Sequence, residues 1–152
     1  MLIGIFLISV VVGSAAAWSA GEIVLSFDFC MFWFSRSFFP SFILGLFVWM
    51  LMELLDGLVK SRAGKHQKVA PEKVALMSKI IRYVLGGSYL LPMVAGTVLQ
   101  WLAMHHEIHA MTILDWEQMM VLLVAPPLLM LIVSIPLVGL MVVGFLVYQK
   151  GT

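Results

Sequence analysis

KSRAGKHQKVAPEKVALMSKIIR, residues 60–82, is the stretch from which the rest of the chain can be read. It holds seven of the nine Lys and Arg residues: Lys60, Arg62, Lys65, Lys68, Lys73, Lys79 and Arg82. Glu72 is the one acid among them. Long apolar segments lie on both sides. A polar island of a single charge sign between apolar runs is the signature of a loop held on the cytoplasmic face of a membrane.

Composition agrees. The chain is 62% hydrophobic and 11% charged, with mean hydropathy +1.08. Soluble domains carry about 45–50% apolar and about 25% charged residues. A soluble fold of 152 residues could not bury this much apolar surface, so the expected solvent is a lipid bilayer. At ~20 residues per span, four spans fit. The expected fold is therefore all-α: a polytopic integral membrane protein with four transmembrane helices and no soluble domain. Residues 1–152 form one membrane domain. Its spans are expected near 2–18, 38–59, 80–104 and 119–148, with a basic cytoplasmic loop at 60–79.

The other interhelical stretches carry Arg36 against Glu22, Asp28, Glu107, Asp115 and Glu117. This asymmetry places both termini in the cytoplasm, and the expected location is a plasma membrane such as the bacterial inner membrane. A basic loop beside a bilayer points to anionic lipid headgroups as partners. Nucleic acid is not expected, because the cations do not interleave with aromatic rings that could stack on bases.

The first apolar run, 2–12, precedes Gly13-Ser14-Ala15-Ala16-Ala17, which resembles the small-residue region of a signal peptide. No Lys or Arg stands before it, so a retained membrane anchor is expected. Gly13-x-x-x-Ala17 and Ala16-x-x-x-Ala20 would let another helix approach closely. Residues 19–37 follow with Phe27, Phe29, Phe32, Trp33 and Phe34 around Asp28 and Arg36. Such aromatic density suits headgroup level, and a segment lying along the outer surface is expected there. Span two then enters just before Pro40. Ala70-Pro71-Glu72-Lys73 reads as a helix start, with proline in the first turn and an acid at the positive end of the dipole. Gly86-Gly87 and Pro92 interrupt span three, where the Ser88 hydroxyl is a candidate partner for a freed carbonyl. Span four, 119–148, would reach ~45 Å if straight. Pro126, Pro127 and Pro136 predict a bend that leaves carbonyls near Leu122 and Leu123 needing partners.

Three groups of residues could carry chemistry. His105 and His109 stand at i and i+4 beside His106, a spacing that can place imidazoles on one metal. Met104 and Met111 would suit a soft ion. The simpler reading is a polar cap at the interface, since a closed zinc site needs four ligands and few others are near. The same histidines do not support a haem held by facing helices, because no His lies within a span. Glu53 and Asp56, at i and i+3, are ionisable groups near the inner end of span two. They could bind a cation or pass protons, or pair with Lys60, Lys79 or Arg82. Glu53 in particular is expected to face protein or a water-filled path, with Lys79 or Arg82 in reach. Cys30 is the single cysteine. It excludes an intrachain disulfide and paired-thiol redox chemistry, and reads as an apolar filler.

No phosphate loop, nucleophile elbow or zinc-protease helix is present. The expected function is thus non-catalytic, without a cofactor: a membrane subunit of a larger transport, secretion or other multi-subunit assembly. Other membrane subunits, or further copies of the chain, are the expected partners. A small oligomeric ion or metal transporter is the first alternative, and a cytochrome-like redox subunit the second. Four spans with both ends inside do not choose among them.

Overall fold

The structure is a computed structural model and describes residues 2–65, 70–110 and 116–150. It is all-helical. The order is α1 (Leu2–Ile23), α2 (Phe27–Lys65), α3 (Pro71–Ala110) and α4 (Trp116–Lys150). Each is long and apolar enough to cross a membrane. α1 packs chiefly on α2 and α3 on α4. The two pairs meet through α2 and α3. Lys73 at the start of α3 stands 5.5 Å from the Tyr148 ring near the end of α4. Ser9 pairs with Ser41, and Ile5 lies against Gly45, so α1 and α2 run antiparallel. The start of α1 and the end of α4 therefore share the end of the bundle that carries the basic residues.

The aromatic stretch is not a separate surface segment, as the sequence suggested. α1 continues to Ile23, and α2 begins at Phe27 after a three-residue turn. Ser26 caps the new helix, its carbonyl accepting the Cys30 N–H at 3.0 Å. Trp33 and Phe34 then turn onto the small residues of α1, while Phe27 and Phe32 stay exposed. Trp33 is buried against Ala16 and Ala20. The Phe34 ring lies so close to Gly13 that a Cβ there would stand 2.9 Å from it. Two features that the sequence presents separately, a small-residue stripe and an aromatic run, form one interface. Pro40 consequently sits inside α2 rather than at its start.

α2 and α3 are 39 and 40 residues long, about 60 Å each at 1.5 Å per residue. That is twice a ~30 Å hydrocarbon core. The basic stretch accordingly divides: 60–65 close α2, and 71–79 open α3 from Pro71, where Ala70 accepts the Lys73 N–H at 3.0 Å. The expected loop of 60–79 is mostly helix, because a helix does not stop where lipid does.

α4 is one continuous helix through Pro126, Pro127 and Pro136. Pro126 and Pro127 cannot donate to the carbonyls of Leu122 and Leu123. Those two oxygens face Gly96 of α3, where a Cβ would stand 2.9 and 2.8 Å from them. Only glycine lets α3 cover carbonyls that lipid could not satisfy. Ser88 does not serve the carbonyl freed by Pro92. Its hydroxyl lies 2.6 Å from the Val84 carbonyl and pairs with Ser134 of α4.

Candidate functional site

The buried face of α3 is a stripe of Ser78, Ile81, Leu85, Tyr89, Met93, Gly96 and Gln100. Its polar members, Ser78, Tyr89 and Gln100, recur every 11 residues, about three helical turns. Each meets α2 at a different depth. Ser78 donates to Asp56 at the basic end. Tyr89 donates to the Ser41 carbonyl at 3.0 Å, and the Ser41 hydroxyl reaches Ser9 of α1 at 3.2 Å. Gln100 Nε2 donates to Ser37 Oγ at 3.3 Å near the other end. The sequence reading missed this ladder. Its signal was the repeated spacing of polar residues along an otherwise apolar helix.

Asp56 forms the strongest rung. It is 2% exposed. Lys60 Nζ lies 2.7 Å and Arg82 Nη2 3.0 Å from Oδ2, while the Ser78 hydroxyl takes Oδ1. A carboxylate offers about four acceptor sites, and three donors take up three of them. Two cationic side chains are in direct contact with it. The side chains of Lys60 and Arg82 remain 58% and 51% exposed. They link the buried charge to the bundle's edge through long, half-exposed side chains. Chemically this is a clamp between α2 and α3.

Glu53 is placed differently from the sequence expectation. The inward stripe of α2 is Val48, Met52, Asp56 and Val59, all buried. One residue is 100° of helix rotation, so Glu53 turns outward with Leu54, Gly57 and Leu58, all exposed. It has no hydrogen bond or ion pair among the described residues, and Arg82 is committed to Asp56 instead.

At the opposite end His105 stacks on Trp101, ring centroids 4.6 Å apart. Its Nδ1 stands 3.5 Å from Glu22 of α1, whose other oxygen accepts from Trp18 at 3.2 Å. His105 thus joins α3 to α1. The side chains of His106 and His109 lie outside the described residues, and His105 is the member of the expected cluster that the structure describes. Among the described residues no three His, Cys, Asp or Glu side chains converge as a metal site.

No family model, curated protein or solved structure matches the chain. Function must be read from these placements.

Proposed function

We propose that this chain is an integral membrane subunit of a larger membrane assembly, without catalytic machinery of its own. Its basic end faces the cytoplasm of a plasma membrane, of the bacterial inner-membrane kind, with both termini on that side. Four apolar helices and the segregation of Lys and Arg support the membrane part of the reading. Reporter fusions at Lys65 and Thr112 should report opposite sides, and same-side signals would refute the orientation.

One observation carries the assembly part. Glu53 is a carboxylate on the outer face of an apolar helix, about 9 Å before Val59, exposed and unpaired among the described residues. An ionisable group facing hydrocarbon is expensive and ordinarily faces a partner. Asp56, three residues on, shows what satisfaction looks like within the chain. A cationic or hydrogen-bonding residue on another transmembrane segment would satisfy Glu53, and Gly57 one turn away leaves room for that segment to approach.

Purification in mild detergent from native membranes tests this. The wild-type chain should bring different chains with it, and Glu53→Leu should lose them while keeping its helix content. If only copies of the same chain associate, in a symmetric ring dependent on Glu53, the oligomeric transporter reading replaces this one. If neither association exists, or Glu53→Leu leaves it intact, the assembly proposal fails.

A further inference from the structure

α1, α2 and α3 leave an open groove of about 440 Å³ between them. It falls within the 300–1,000 Å³ range of small-molecule sites. Its walls are almost wholly apolar and include Ile5, Ile8, Val48 and Met52. Gly4, Gly86 and Gly87 widen it, since a Cβ at any of them would meet nothing within 4 Å. The groove is not uniform along its length. Arg82 and Tyr83 line it at the basic end. Lys79 lies one turn beyond them on the same face of α3 and is exposed.

We propose that this groove binds one anionic phospholipid, an acyl chain in the glycine-widened cleft and the phosphate between Lys79 and Arg82. The shape takes a flexible hydrocarbon chain. The charge selects the headgroup: Arg82 gives Nη2 to Asp56, but a guanidinium has five N–H donors and can serve a second anion. The exposed Tyr83 hydroxyl is a further donor at the same level. A zwitterionic lipid would bring its own cation to a place that already has two. This site rests on the reading that the chain lies in a membrane, but not on its belonging to an assembly.

Native mass spectrometry of the delipidated full-length protein, titrated with phosphatidylglycerol or phosphatidylcholine of matched chains, tests it. One phosphatidylglycerol should be retained in preference. Lys79→Gln should weaken that binding about fivefold, as expected for one cation near a membrane surface. Gly86→Leu should weaken both lipids by filling the cleft, with circular dichroism checking that the helices persist. Glycerophosphoglycerol, which has the headgroup but no chains, should not compete. Should Gly86→Leu fail to fold, the Lys79→Gln and competition results still decide. Equal retention of the two lipids, indifference to Lys79→Gln, or displacement by the chainless headgroup would each overturn the proposal. So would efficient disulfide cross-linking between copies of Gly86→Cys in lipid, which would show a second chain in the groove. Loss of partners from Glu53→Leu would leave this result untouched, so the two proposals fail separately.

Discussion

The two ends of the α2–α3 seam are built on different terms. At the basic end one buried carboxylate receives three donors, and its two cations are half exposed. At the other end Gln100, 2% exposed, has Nε2 on Ser37 but leaves Oε1 buried without a partner, as is Trp33 Nε1. Packing carries that end: Ala103 of α3 lies against the cluster of Trp33 with Ala16 and Ala20 of α1, and Phe29 and Phe32 meet the Trp33 ring edge-on. Charge specifies the first end and shape the second. An anion away from bulk water has to find its partners, whereas apolar contacts need only fit. The incompletely satisfied end is also where ordered water would find polar groups to bridge.

Removing the clamp should break this contrast most. Asp56→Leu deletes three hydrogen bonds and leaves Lys60 and Arg82 adjacent without the anion between them. A net loss of about 2 kcal/mol is expected, reduced from a fully buried pair because both cations are half exposed. Titration with a denaturing detergent, followed by circular dichroism, measures it, and an unchanged midpoint would mean the clamp is ornamental. Gln100→Met should have the smallest effect. It gives up one long hydrogen bond but also removes a buried unpaired acceptor, so the change should stay within about 0.5 kcal/mol of zero. A loss as large as that of Asp56→Leu would show that the outer rung is as specific as the inner one, and the contrast would disappear. Between these lies Glu53→Leu, whose effect belongs to association rather than to the stability of the isolated chain.

Much of the helical architecture was legible. Pro71 as a helix start and the number of long apolar segments follow from local rules of capping and hydropathy. The beginning of α2 was not. Phe29, Phe32, Trp33 and Phe34 have the same composition whether they lie at a headgroup surface or on another helix. What distinguishes the cases is Gly13, Ala16 and Ala20 on α1. The carboxylates were legible by half: Asp56 pairs with Lys60 and Arg82, as the sequence allowed, whereas Glu53, three residues away, turns outward instead of towards them.

The sequence by itself determined how many helices are long and apolar enough to cross a membrane, where proline or a cap begins them, and which end gathers the cations. Those properties depend on neighbours along the chain. Only the tertiary structure decided which way each helix faces. In a soluble helix the apolar face announces the core. Here Phe47 faces outward and Val48 inward with equal hydrophobicity, because lipid and core are alike to an apolar side chain. Rotation about the helix axis is then set by close contacts such as Gly96 against the Leu122 and Leu123 carbonyls, and by polar groups that cannot be left in hydrocarbon. Those contacts join residues far apart in sequence, so they exist only once the helices have met.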